Sequence, residues 1–153
     1  MELQESGAKE GPVFLRVARK DLERFWPPTV GLLAPAIERS AGQFSEGGVH
    51  AAIAAGKMQL WLTGDSQKPQ ASAVTAILDY PQTRVLSVPL LGGARMRAWL
   101  DALADALTAY GRANRCSAIE GYVRPGFIGA VYHEDRAIIK NVDKIWTLVR
   151  RAI

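Results

Sequence analysis

The segment Arg84–Val123 reads RVLSVPLLGGARMRAWLDALADALTAYGRANRCSAIEGYV and holds a complete strand, turn, helix and strand in 40 residues. Within it Met96, Trp99, Leu100, Leu103, Ala106, Leu107 and Tyr110 recur at three- and four-residue intervals. That is the apolar stripe of an amphipathic helix over Met96–Ala113, with Arg97, Asp101, Asp105 and Thr108 on its other side. The short apolar runs Arg84–Leu91 before it and Ala118–Val123 after it read as strands.

Upstream, Met58–Thr63 and Ala71–Leu78 are two more strand candidates, separated by the polar loop 64–70. The turn Asp79-Tyr80-Pro81-Gln82-Thr83 leads from them into Arg84–Leu91, so the three strands predict an antiparallel meander. Before it, Val13–Val17 predicts a first strand. Val30, Leu33, Ala34 and Ile37 keep helical spacing after Pro27-Pro28, with Pro35 expected to kink or shorten that helix. A second helix runs from a Ser45 N-cap through Val49, Ala52 and Ile53 to Gly56. Downstream, a short helical segment near 127–134 and a closing hairpin of 137–140 with 145–149 complete the order.

Composition places this order in one globular body. With 153 residues, 48% of them apolar and 22% charged, the chain suits a single domain over residues 12–153 after a flexible tail of residues 1–11. No apolar run approaches a membrane span, and the opening residues lack a signal-peptide pattern, so an intracellular protein is expected. One cysteine, Cys116, and two distant histidines, His50 and His133, argue against a disulfide scaffold or a structural zinc site. The net charge of +4 is unevenly spread: eight Lys/Arg against four Asp/Glu fall in residues 112–153. Such an excess predicts a solvated basic face; a nucleic-acid or host-protein surface is the alternative, and it would show as steep salt dependence.

A run of short motifs carries a resemblance. Gly56-Lys57-Met58-Gln59-Leu60-Trp61, Val74-Thr75 with Asp79-Tyr80-Pro81, Gly92-Gly93 followed by Trp99, Cys116 with Ile119-Glu120, and Arg124-Pro125-Gly126-Phe127 stand in this order over roughly residues 13–150. Together with the element order they resemble the GNAT-like (acetyltransferase-like) proteins encoded by tailed phages and prophages of proteobacteria. The resemblance implies an α+β fold, a mostly antiparallel mixed sheet of about six to seven strands with helices on both faces. It also implies residence in the cytoplasm of a host cell, with incorporation in a virion as an alternative, and phage structural or host proteins as partners.

The same resemblance implies where acetyl-CoA would bind. In GNAT enzymes a Gln/Arg-x-x-Gly-x-Gly/Ala loop between the fourth strand and the long helix holds the cofactor pyrophosphate on backbone N–H groups. Here Pro89-Leu90-Leu91-Gly92-Gly93-Ala94-Arg95 stands in that place. Leu91, Gly92, Gly93, Ala94 and Arg95 are the cofactor-binding candidates, Gly92 and Ala94 fit, and Pro89 replaces the Gln/Arg and brings no N–H. A plain strand-to-helix turn is the competing reading. Tyr132 resembles the GNAT tyrosine that protonates the leaving thiolate, although Asp135-Arg136 replaces the Gly-aromatic pair that usually follows; packing is its alternative.

Glu120 is the candidate general base, a carboxylate inside an apolar strand, set against a surface pairing with Arg112, Arg115 or Arg124. Arg124 has the planar fork to take a phosphate or carboxylate, or to brace its own loop. Cys116 reads as buried and inert, and Trp26, Trp61, Trp99 and Trp146 as core. Two functions follow from the resemblance. One is a non-catalytic or weakly catalytic, virion-associated binding protein with a degenerate cofactor loop; the other is an acetyl-CoA-dependent N-acetyltransferase acting on a small amine or a protein amino group.

Overall fold

A computed structural model of the protein describes residues 12–64, 68–123, 138–141 and 147–153. The expected tail 1–11, the helical segment near 127–134, and Arg124, Tyr132, His133 and Trp146 lie outside the described residues. The elements run β1 (Leu15–Arg16), α1 (Leu22–Glu38), α2 (Glu46–Ala54), β2 (Gln59–Gly64), β3 (Pro69–Asp79), β4 (Arg84–Gly93), α3 (Met96–Ala113), β5 (Ala118–Val123), β6 (Ile138–Asn141) and β7 (Thr147–Ala152). The strands hydrogen-bond in the order β1-β2-β3-β4-β5-β7-β6, a seven-stranded mixed sheet in an α+β fold. The segment Arg84–Val123 folds as its pattern predicts, with α3 and β5 at the expected residues. By its contacts the chain divides into two compact units, residues 1–75 with 90–106 and residues 76–89 with 107–153.

The first unit is built around α1 and α2. Leu22, Phe25, Trp26 and Leu33 of α1 join Val49 and Ile53 of α2 and Leu60, Leu62, Val74 and Leu90 of the strands in one apolar core. The helix α1 begins at Leu22, five residues before the prolines that were expected to start it, and Pro27, Pro28 and Pro35 all lie inside it. Each interior proline removes a ladder N–H. The buried face at 22, 25, 26, 29 and 33 outweighs that loss, because tertiary burial of four large side chains exceeds the propensity penalty. Thr29, fully buried, returns its hydroxyl to the Phe25 carbonyl, so the interior of α1 carries no stray donor at that turn. The first strand shrinks to Leu15–Arg16, pairing Leu62 and Trp61 of β2.

Ser45 caps α2 as its sequence predicts, accepting from the Gly48 N–H at 3.1 Å. At the other end Arg19 reaches over from the chain before α1 and donates from Nε and Nη2 to the Ala54 carbonyl at 3.1 and 2.7 Å. Gly56 follows with φ +77°, and its missing Cβ leaves room for that guanidinium, which would lie 3.1 Å from an added carbon. The strands β2 and β3 pair antiparallel from Gln59–Thr75 to Gly64–Pro69 and are buried on both faces from Leu60 to Thr63 and from Ala71 to Thr75. A chain of side-chain bonds crosses this pair: Trp61 Nε1 donates to Thr75 Oγ1 at 2.9 Å, and Thr75 donates to Gln59 Oε1 at 2.8 Å.

In the second unit β4 and β5 lie parallel, in register from Val85–Ala118 to Val88–Gly121. The ladder stops at the residue before Pro89, whose ring nitrogen has no hydrogen to extend it. On its other side β5 pairs antiparallel with β7 from Ala118–Ala152 to Val123–Thr147, and β7 with β6. The expected closing hairpin of 137–140 with 145–149 is therefore present, shifted toward the C-terminus by one to three residues. Replacing Arg19 by Ala removes the two bonds at the end of α2 and is expected to cost about 1 kcal/mol in urea unfolding, with most of the loss retained in Arg19→Lys, which lacks the fork.

Candidate functional site

Two groups of candidate residues are described, one in each unit. In the first, β4 ends and turns into α3 through Gly93, Ala94 and Arg95, all three exposed. Gly93 takes φ +137°, and a Cβ there would meet the Ala71 Cβ and the Gln70 carbonyl at 2.7 Å, so only glycine fits. Arg95 stands in the left-handed region at φ 55°, uncommon for a branched-free but bulky residue, and its carbonyl accepts the first helical bond from the Ala98 N–H at 2.8 Å. The indole of Trp99, buried against Phe14 with ring centroids 5.7 Å apart, donates to the Ala94 carbonyl at 2.7 Å. One peptide oxygen of the turn is thus tied back to the helix.

This geometry changes the reading of Gly92. A Cβ at position 92 would sit 1.8 Å from the Leu32 carbonyl oxygen and 2.7 Å from its carbon. The glycine is required by the backbone of α1, whether or not a ligand approaches from elsewhere. Leu91 is half-buried.

The electrostatics of the turn are unusual for a helix start. An isolated helix favours Asp or Glu in its first turn, where the partial positive charge of the backbone N–H groups lies. The first turn of α3 has no acidic residue and carries the exposed Arg97, next to the exposed Arg95. Two guanidinium groups beside the positive end of an 18-residue helix raise its energy in the absence of an anion and suit a phosphate or pyrophosphate. The turn therefore suits an anion by its charge, with Pro89 standing where a donor would be expected.

In the second unit Glu120 is 3% exposed, which overturns the surface pairing with arginine as its environment. Its Oε1 accepts a hydrogen bond from the Tyr80 hydroxyl at 2.7 Å. Along the sheet it lies at the register position of Ser87, also buried, on β4. Tyr80 itself is 42% exposed. Sequence reasoning does not reach this partner: Tyr80 stands in a turn motif, and the parallel pairing that brings β5 beside β4 is a long-range event with no local signal.

Cys116 is buried, and burial pushes its thiol above the ordinary value, opposed by Arg84 and reinforced by Asp79. That agrees with an inert cysteine. Trp26, Trp61 and Trp99 are buried as expected. Among the described residues no group of three His, Cys, Asp or Glu is placed to hold a metal ion, and no helix is long and apolar enough to cross a membrane.

Solved structures with the same arrangement are numerous. A probable acetyltransferase from Staphylococcus epidermidis matches with a TM-score of 0.64 at 8% identity, over 92% of this chain and 98% of that one. An aminoglycoside 6'-acetyltransferase of type Ii matches with a TM-score of 0.64 at 12% identity, over 92% and 96%. A predicted acetyltransferase from Clostridium acetobutylicum, solved with acetyl-CoA, matches with a TM-score of 0.53 at 13% identity, over 86% and 96%. The fold is that of the GNAT acetyltransferases. No protein-family model and no curated protein matches the sequence. These likenesses speak of acetyltransferases and carry nothing about a phage origin or a virion.

Two outcomes test this description. Gly92→Ala is expected to lower unfolding free energy by about 3 kcal/mol, read as a lower urea midpoint with an unchanged slope, because the α1 carbonyl must move. Cys116 is expected to resist a thiol reagent in the native protein and to react on unfolding. Since its folded ionisation is raised, it contributes stability that is present at neutral pH and lost as pH rises through the thiol range, a slope absent from Cys116→Ala.

Proposed function

We propose that the protein is an acetyl-CoA-dependent N-acetyltransferase acting on a small amine or a protein amino group. The observation that carries the reading is the start of α3: a turn with one carbonyl tied down by Trp99, followed by a helix end with Arg95 and Arg97 and no carboxylate in its first turn. The GNAT fold supports the same reading, and so does the relative solved with acetyl-CoA.

Bound acetyl-CoA supplies a thioester that an amine can attack. The residues of each unit would have separate tasks, the turn before α3 in the first and Glu120 in the second. Backbone N–H groups of the turn and of the first turn of α3 would hold the pyrophosphate, and Arg95 and Arg97 would neutralise it. Glu120 receives the proton that a substrate ammonium must lose before its nitrogen becomes nucleophilic. Tyr132, by resemblance, would hold the proton that a departing thiolate requires.

A second reading is favoured by Pro89 and by the packing that accounts for both glycines. In it the chain keeps the fold as a binding protein with little or no transfer, whether for a phage structural partner or a host protein. Direct titration with acetyl-CoA separates the two, because saturable binding belongs to the first. Arg97→Glu adds a sharper test. It is expected to stabilise the ligand-free protein by about 0.5 kcal/mol, since a carboxylate suits the helix start, and to weaken acetyl-CoA binding at least about tenfold. Calorimetry and thermal melts read the two effects; unchanged affinity would remove the turn as the phosphate site.

A further inference from the structure

We propose that Tyr80 is the group through which the substrate amine reaches Glu120: the phenol takes a proton from the substrate ammonium as it passes its own to the buried carboxylate. The proposal rests on the acetyltransferase reading and adds to it the residue that touches the amine.

Three observations lead to it. Glu120 is 3% exposed, whereas its partner Tyr80 is 42% exposed and holds Glu120 Oε1 at 2.7 Å. The described hydrogen bond at the buried carboxylate thus comes from a side chain that itself reaches solvent. Next, Tyr80 is fixed from its own backbone. Its N–H donates to the Thr83 carbonyl at 2.8 Å, the Thr83 N–H returns a bond at 3.4 Å, and Asp79 and Arg84 pair at 3.3 Å across the same turn. The turn is joined to the chain just before β5, where the Thr83 and Ser117 hydroxyls share a hydrogen bond and the Ser117 N–H donates to the Arg84 carbonyl at 2.8 Å. Both ends of the Tyr80–Glu120 bond are thus set by one braced piece of backbone. Finally, Tyr80 and Leu78 are the exposed large apolar side chains among the described residues, so packing alone does not account for the ring's position.

The step balances. An N–H bond of the ammonium breaks as an O–H bond forms at Tyr80 Oη, while the original Oη–H bond breaks and a new one forms at Glu120 Oε1. The amine leaves neutral, tyrosine is unchanged, and Glu120 becomes a neutral carboxylic acid, which later returns its proton to solvent by the reverse path.

The test uses the full chain, acetyl-CoA and a panel of primary amines consisting of benzylamine, spermidine and a lysine-bearing peptide. Calorimetry with acetyl-CoA comes first; no binding by the wild type overturns the acetyltransferase reading and the relay with it. Given binding, Tyr80→Phe is expected to keep acetyl-CoA affinity and to lower kcat near neutral pH about 100-fold or more. The loss shrinks as pH rises and more amine arrives already neutral, and Glu120→Gln follows the same profile. Tyr80 replaced by 3-fluorotyrosine keeps the ring and the bond while acidifying the phenol, so the pH profile moves to lower pH; this variant serves if Tyr80→Phe does not fold. Turnover by Tyr80→Phe within threefold of the wild type, an equal loss at every pH, or an unmoved profile with 3-fluorotyrosine overturns the relay and leaves the acetyltransferase reading standing. Acetyl-CoA binding without transfer to any amine of the panel overturns the relay as well.

Discussion

The tightest backbone approach at a glycine among the described residues is that of α1 to the end of β4. The Leu32 carbonyl occupies the place where a side chain at position 92 would begin, so the strand can run under the helix only as bare backbone. One residue later Gly93 lies equally tight on Ala71 of β3. Between them these two contacts fix where β4 ends, and so where the turn to α3 and the start of that helix are placed. The exposed residues Ala94 and Arg95 inherit their position from packing beneath them. A turn built in this way needs no ligand to give it shape.

The charge pattern at that turn has a cost that the fold bears elsewhere. Arg95 and Arg97 oppose the dipole of α3, and neither the sheet nor the apolar core gains from them. The stripe of α3 compensates, with Trp99, Leu103 and Leu107 buried along its length. The basic excess that the sequence shows in residues 112–153 is a different matter: these charges are spread over several elements, and the turn that suits an anion lies outside that segment. Net charge by region therefore pointed away from the residues best placed to meet a phosphate.

What could be read from the sequence was local. The helix α3, the strand β5 and the Ser45 cap of α2 are set by periodicity and by one hydroxyl, and they stand where those signals put them. The start of α1 was misread because three prolines are strong local breakers, and only the core that Leu22, Phe25 and Trp26 enter overrides them. Glu120 was legible as an odd carboxylate in an apolar strand; its burial and its bond to Tyr80 depend on a residue 40 positions away. The glycines were legible as special, but a cofactor cradle and a crowded helix backbone ask for the same residue, and a sequence does not say which side the missing Cβ would have faced.

The side-chain chain from Trp61 through Thr75 to Gln59 bears on how this protein avoids folding wrongly. The strands β2 and β3 are buried on both faces, so they lack the alternation of apolar and polar residues that ordinarily distinguishes one strand register from the next. A slip by one residue would exchange one apolar face for another at little cost in buried area. It would, however, leave an indole N–H and a threonine hydroxyl in the interior without the acceptors that the true register supplies. With the buried Ser72 hydroxyl, which donates to the Trp61 carbonyl at 2.9 Å across the same two strands, these polar bonds act as a proofreading mark for the pairing of β2 with β3.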